Sequence, residues 1–246
     1  MRPDLFEEVM RLRSAFPLPH YAVVDFDNNA IVHDCAEALF NQMALHGDLS
    51  SKDFKRYYEL LDAGNLEAAY LFCARTLRGL SPAEVHALVL RALADEGLEI
   101  GATELFGRTI AKGIAPRESV VTMSHRLQSC GIEVWIVSAS SGLVVRSTMS
   151  YFDIEATGVI GIRNGINAGI LTGEILKPFS IGMGKVACIR KFIHPTVRPL
   201  LGIGDSMGDY PMLQYSRLRA VINHGNPLTK IAMENLENGW YLPFDE

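Results

Sequence analysis

Beyond Pro116 the chain alternates between two kinds of segment, and that alternation constrains the fold more than any other feature. ESVVTMSHRLQSCG has amphipathic helical spacing and stops at Gly131; IEVWIVS is a continuous, β-prone apolar run. SGLVVRSTMSYF reads as a helix, GVIGIRNGINAGILTGEIL as a β-hairpin turning around residues 164–167 with Gly165 in the turn, and GKVACIRKFIH as a helix. PLLGIGDS is a strand, DYPMLQYS a short helix, LRAVINHG a final strand and PLTKIAMENLE a final helix. Strands alternating with helices predict a doubly wound parallel α/β sheet. Residues 21–26, YAVVDF, supply one more buried strand, too short for a buried helix.

Between that first strand and Pro116 the pattern changes. SKDFKRYYELLDAG, NLEAAYLFCARTLRG and SPAEVHALVLRALADEG are helical segments with clear punctuation. Ser51, Asn65 and Ser81 read as N-caps, with Pro82 at the first helical position, and Gly64, Gly79 and Gly97 as stops. The expected organisation is a Rossmann-like core, residues 1–30 and 116–246, carrying an inserted helical domain, residues 31–115.

With 246 residues the chain can bury a sizeable core. Its net charge of −5, with acids and bases interspersed, argues against a nucleic-acid or anionic-membrane surface. Cys35, Cys73, Cys130 and Cys188 form no C-x-x-C pair and read as reduced thiols. Residues 1–20 mix charges and lack the apolar region of a signal peptide, and no run reaches the length of a membrane span. A cytoplasmic protein is expected.

In open α/β sheets ligands bind beyond the carboxyl ends of the strands. Three polar clusters fall there: Asp25 and Asp27 after the first strand, Ser138 closing IEVWIVS, and Asp205 and Asp209 in GDSMGD. Lys185 opens the helix before that last cluster. Two unit charges about 4 Å apart repel by roughly 4 kcal/mol at an effective dielectric of about 20. Four converging carboxylates therefore call for positive charge or for protonation. Oxygen ligands without nearby His or Cys favour a hard cation, Mg²⁺ before Ca²⁺. A phosphomonoester dianion would suit such a site. One aspartate can attack phosphorus, a second can move a proton to the leaving alkoxide, and Ser138 with backbone amides can hold the phosphoryl oxygens.

These four motifs, DFDNN, the serine of IVSAS, Lys185 and GDSMGD, occur in that order and frame most of the chain. Together they resemble the haloacid dehalogenase-like hydrolase superfamily, and the insertion after the first motif resembles the helical cap of its phosphoserine phosphatase-like branch. The resemblance implies a Mg²⁺-dependent phosphatase that forms an aspartyl-phosphate. In that pattern Asp25 is nucleophile and metal ligand, and Asp27 is the acid/base and a metal ligand through its carbonyl. Ser138 and Lys185 bind phosphate, Asp205 completes the metal site, and Asp209 orients the metal site or Lys185. In that pattern the second aspartate separates phosphatases from dehalogenases, which lack it, so the resemblance implies a phosphatase rather than a dehalogenase.

Two departures stand out. Asn29 occupies a position where the family usually has Thr or Val. Ser138-Ala139-Ser140 replaces the Ser-Gly-Gly of phosphoserine phosphatases and is closer to phosphocholine phosphatases, with Ala139 and Ser140 expected at the substrate. Asp34 stands where related phosphoserine phosphatases carry a glutamate that meets the substrate amine; it reads equally as a cap of the helix CAEALFNQM. Tyr57, Tyr58 and Tyr70 offer aromatic faces for a cation or simple packing. The expected partner is a small phosphomonoester, amine-bearing such as phosphoserine or phosphocholine. The alternatives are a phosphotransferase using the same intermediate and a weakly active phospho-ligand binding protein.

Overall fold

A computed structural model describes residues 4–244; the outermost residues of the expected core, 1–3 and 245–246, lie outside the described residues. The chain begins with α1 (Leu5–Ala15), enters β1 (Tyr21–Val24), turns through residues 26–30 and passes β2 (Ile31–Val32). Four helices follow, α2 (Cys35–Leu45), α3 (Ser51–Asp62), α4 (Leu66–Arg75) and α5 (Pro82–Glu96), then the hairpin β3 (Gly101–Leu105) and β4 (Arg108–Lys112). After β5 (Ala115–Pro116) come α6 (Glu118–Ser129), β6 (Glu133–Ser141), α7 (Gly142–Phe152), β7 (Gly158–Asn167) and β8 (Ile170–Leu176). The remainder is α8 (Met183–Phe192), β9 (Leu201–Gly204), α9 (Tyr210–Tyr215), β10 (Leu218–Ile222), α10 (Pro227–Glu234) and β11 (Trp240–Phe244).

Seven strands form one sheet in the order β11-β10-β9-β1-β6-β7-β8. Every neighbouring pair is parallel except β7–β8. The expected doubly wound sheet is therefore what forms. β1 lies at its centre, and its four residues are wholly buried. Alternation sends Ala22 and Val24 to one face, against α1, α6 and α7, and Tyr21 and Val23 to the other, against α8 and α9. Burying each of the two valines contributes about 1.5–3 kcal/mol.

Register decides what meets at the strand ends. Val24 pairs with Ile136 of β6 and with Ile203 of β9. One residue further, Asp25 N donates to Ile203 O at 2.9 Å. The polar residues that follow these three strands thus share one rim.

The insertion leaves and returns side by side: Ile31 pairs with Pro116, and Arg117 N donates to Ala30 O at 2.9 Å. It has a small aromatic core of its own around Phe40, Phe54, Tyr57 and Tyr58. It is also seated on the sheet domain, because Val85 and Val89 of α5 join the same apolar cluster as Val144 and Val145 of α7. α5 is closed by a full capping box, Ser81 with Glu84, as its sequence anticipates.

Several local expectations are corrected. The hairpin turns at Ala168 and Gly169, both at positive φ, rather than at 164–167. Gly165 lies inside β7 where the register shifts, because a two-residue turn needs two consecutive left-handed residues. The N-cap of α3 is Ser50, whose hydroxyl accepts from Asp53 N, and Ser51 is the first helical residue. The last strand is β11, not β10, and the β3–β4 hairpin and α1 carry no signal used above. All four cysteines are free. Among the described residues no helix is long and apolar enough to cross a membrane.

Candidate active site

The rim of β1, β6 and β9 brings Asp25, Asp27, Ala139, Ser140, Lys185, Asp205 and Asp209 around one cavity of about 480 Å³; Ser138 is fully buried just behind its wall, with its hydroxyl on Asp27. Asp34, Leu66 and Tyr70 from the insertion line the same cavity. The site residues expected from the sequence are therefore all brought together, on a rigid buried mount.

Lys185 is 2% exposed and its Nζ lies between two carboxylates, 2.7 Å from Asp25 Oδ1 and 2.5 Å from Asp209 Oδ1. Asp209 stands at the N-cap position of α9 but caps nothing. Its Oδ2 instead accepts from the backbone N–H groups of Asp205 and Ser206 at 3.1 and 3.3 Å. Gly204 permits this: a Cβ there would lie 2.6 Å from Asp209 Cβ. Burial alone would raise the Asp209 carboxyl, but Lys185 and the two amides outweigh it and hold it below the usual range. Asp25 is different. Burial, then Asp209, push it up to about 7 against the opposing pull of Lys185. Among the described residues Asp25 Oδ2 has no hydrogen-bond partner, Lys185 being on Oδ1. Burial, Asp209 and Asp25 likewise push Asp205 up to about 10.

Asp27, two residues beyond Asp25, is held by other partners. Its Oδ2 accepts from the hydroxyls of Ser138 at 3.0 Å and Ser140 at 2.7 Å, and its Oδ1 from Cys35 N at 2.9 Å. The N-cap position of α7 is Ser141. β6 runs three residues further than the apolar pattern indicates, and Ser138 Oγ accepts from Ser140 N at 2.9 Å. Two carboxylates on one short stretch thus sit in separate environments, one on a lysine and one on two hydroxyls and an amide.

The donor set fits a hard cation. Carboxylate oxygens of Asp25, Asp205 and Asp209 lie within 4.8 Å of one another, and burial, then the neighbouring carboxylates, raises two of the three carboxyls, a penalty on the charged forms that a cation would offset. Asp209 is already committed to Lys185 and two amides, so Asp25 and Asp205 are the carboxylates available to an ion. The Asp27 carboxylate accepts from the serines and is not among the three carboxylates of this cluster.

Asp34 serves both roles open to it. Its Oδ1 caps α2, accepting from Ala36 N at 2.8 Å and Glu37 N at 2.9 Å, while the residue lines the cavity. Burial, Asp27 and Glu37 hold its carboxyl well above the usual range. Tyr57 and Tyr70 line an adjoining chamber. Tyr58 does not: its hydroxyl donates to Glu37 and Asn41, and the Arg108 guanidinium covers its ring at 4.2 Å. Sequence reasoning missed two supports. Asn226, the cap of α10, donates from Nδ2 to Asp205 O at 2.7 Å. Asn164 of β7 donates to Ala74 O of α4 at 2.7 Å and accepts from Ser141 Oγ at 3.0 Å, tying the insertion to the strand end. The Asn-Pro that starts α10 was a readable signal for the first; nothing local marks the second.

Asn29 is fully buried, and neither of its amide atoms meets a protein partner. An unpaired buried amide costs about 1–3 kcal/mol. Asn29→Val, close in volume, is therefore expected to raise the denaturation midpoint, and a variant that melts at or below the parent temperature would show that the amide is satisfied.

A family model for haloacid dehalogenase-like hydrolase matches residues 22–214. No curated protein matches the sequence. Among solved structures, a protein of unknown function from Bordetella pertussis Tohama I superposes with a TM-score of 0.72 at 19% identity, covering 92% of this chain and 98% of that one. A conserved protein of unknown function from Anaerococcus prevotii DSM 20548 gives 0.70 at 21% identity, with 90% and 84% covered. A substrate-bound phosphoserine phosphatase complex gives 0.58 at 16% identity, with 90% and 99% covered. At these identities the likeness is one of fold.

Proposed function

The chain belongs to the haloacid dehalogenase-like hydrolases, and from that premise we propose that it is a Mg²⁺-dependent phosphatase acting on a small phosphomonoester through an aspartyl-phosphate. The observation that carries this reading is the separation of Asp25 from Asp27: one is paired to Lys185 with an oxygen left open, the other is cradled by Ser138, Ser140 and Cys35 N. Two carboxyls in different surroundings suit two roles.

Asp25 Oδ2 attacks phosphorus in line as the bond to the ester oxygen breaks. Asp27 gives that oxygen its proton, so the alcohol leaves neutral. Water then attacks the acyl phosphate while Asp27 takes its proton; inorganic phosphate leaves and Asp25 is restored. Lys185, the Ser138 hydroxyl and nearby amides hold the phosphoryl oxygens, and Asp209 fixes Lys185. Asp25 and Asp205, with the Asp27 carbonyl, would hold Mg²⁺, which when bound neutralises phosphoryl charge and orients the ester. Residues 31–115 act as the cap over a core of residues 1–30 and 116–246, with Leu66 and Tyr70 helping to exclude water from the cavity.

Phosphate release from a panel of phosphomonoesters, with Mg²⁺ and with chelator, tests the reading. Release is expected only with the metal, with an acid-stable phosphoenzyme on quenching. Release that ignores chelator would overturn the metal-dependent mechanism; a phosphoenzyme that passes phosphate only to added alcohols would move the reading to a transferase.

The same cluster predicts a pH effect. Because burial and neighbouring carboxylates raise the native Asp25 and Asp205 carboxyls above the ordinary aspartate value near 3.8, these two groups bind more protons in the native state than in the unfolded state above that pH. The unfolding free energy therefore falls as pH rises from about 4 through 7, and for Asp205 on toward 10. Mg²⁺ competes with those protons. Its stabilisation, about 2.7 kcal/mol at a hundredfold excess over Kd, is expected to be larger at pH 8 than at pH 5 in melting curves; equal shifts at both would show that the ion binds elsewhere.

A further inference from the structure

We propose that Asn164 is a positioning residue for proton transfer to the leaving group: it fixes the loop that aims Ser140 at Asp27 and, with the same amide, the wall of the insertion that faces that loop. This rests on the phosphatase reading and deepens it.

The loop is an irregularity in β6. Val137 pairs with Ile160 of β7 and Ser141 with Ile162, so three residues, Ser138 to Ser140, stand opposite the single Gly161. Surplus residues of this kind bend a strand and re-aim its side chains. A regular strand spaces residues i and i+2 by about 7 Å. The Ser138 and Ser140 hydroxyls, at 3.0 and 2.7 Å from one Asp27 oxygen, are necessarily nearer to each other than that. The bend that brings them together is closed by Ser140 N donating to Ser138 Oγ at 2.9 Å.

Strand β7 backs this bend. Gly161 lets it come close, because a Cβ there would lie 2.6 Å from Gly142 Cα and 2.7 Å from Ser140 O. Asn164 supplies the anchor. Its Oδ1 accepts from Ser141 Oγ at 3.0 Å, the one side-chain hydrogen bond from residues 138–142 to β7 among the described residues. Its Nδ2 donates to Ala74 O of α4 at 2.7 Å. Ala74, Ser140 and Ser141 all line the chamber beside the phosphate cavity, so one buried amide sets the spacing of two chamber walls. Asn164 itself lines neither cavity and acts through its neighbours.

Without the amide, the Ser141 hydroxyl and the Ala74 carbonyl lose their partner, and the loop shifts to satisfy them. Ser140, the adjacent residue, shifts too. Ser138 and Cys35 N still hold Asp27, but in altered geometry. A misplacement on the order of 1 Å is enough to slow a positioned proton transfer. When the bond from phosphorus to the ester oxygen breaks, its electron pair goes to that oxygen and the proton of Asp27 follows. An alkyl ester needs that proton. A p-nitrophenyl ester leaves as the phenolate without it.

The test compares kcat/KM, with Mg²⁺, for the alkyl phosphate turned over fastest and for p-nitrophenyl phosphate. The proteins are the parent, Asn164→Leu, Ser140→Ala and the double variant, each checked by a thermal melt. Asn164→Leu is expected to lower the alkyl-to-aryl ratio by about tenfold. Ser140→Ala is expected to lower it similarly, and the double variant by no more than the larger single effect, because both changes act on one contact. Should Asn164→Leu fail to fold, Ser141→Ala cuts only the bond to the loop and leaves that to Ala74; it is expected to give the same fall. Equal losses on both esters would make Asn164 a purely structural residue. Single effects that multiply in the double variant would mean that it acts apart from Ser140. Either result overturns the proposal while the phosphatase reading stands. If the parent turns over neither ester, the phosphatase reading falls and the proposal falls with it.

Discussion

Asp25→Asn is expected to lower phosphate release by a factor on the order of 10⁴ or more and to leave the fold intact. The amide keeps the shape of the carboxylate, and its oxygen can still accept from Lys185 Nζ at the 2.7 Å seen for Oδ1. What it lacks is the charge that attacks phosphorus. The same change removes one of the crowded buried carboxylates, so the metal-free variant should melt no lower than the parent at pH 8. Phosphate release, trapping of the phosphoenzyme and a thermal melt on one preparation measure all three. A variant that folds and retains more than about a hundredth of the parent rate would place the nucleophile elsewhere.

Lys185→Met is the second large effect, and it falls on stability as well as rate. Removing one partner of a buried ion pair typically costs 3–5 kcal/mol, because the other charge is left without compensation. Here two carboxylates are left, on β1 and at the start of α9. At about 2–4 °C per kcal/mol for a chain of this size, the melting temperature should fall by roughly 10 °C at pH 8. The deficit should shrink toward pH 5. Asp25 is already raised to about 7 beside the lysine, and without it takes up a proton more readily still. Denaturant midpoints at the two pH values give the comparison. A deficit that is equal at both would mean that the lysine acts through packing of its stem rather than through its charge.

Much of the architecture was legible because its causes are local. A parallel strand buried on both faces must be a short apolar run, as at Tyr21–Val24, and a surface helix must carry one apolar stripe and a cap, as at Ser81 with Glu84. The misreadings were local too. Gly165 and Gly169 are both turn formers on composition; only the pairing of β7 with β8 selects Ala168-Gly169. The strand β11 is unremarkable alone and is defined by the open edge of β10. Ser138 can be placed at a strand end from its neighbours, but nothing local shows that its hydroxyl is claimed by Asp27, 111 residues earlier in the chain.

The sequence by itself determined the sheet class, the place of the insertion and the identity of the rim residues. Each of these depends on periodicity or on side chains a few positions apart, and strand ends carry their chemistry with them. Tertiary structure alone decided which carboxylate meets which partner: Asp209 on Lys185, Asp27 on two serines, Asp34 at the mouth of a chamber walled from α2, α4, β6 and α7. Those contacts join residues up to 113 positions apart. Burial sets their charge states, and burial belongs to the packed molecule rather than to any segment of the chain.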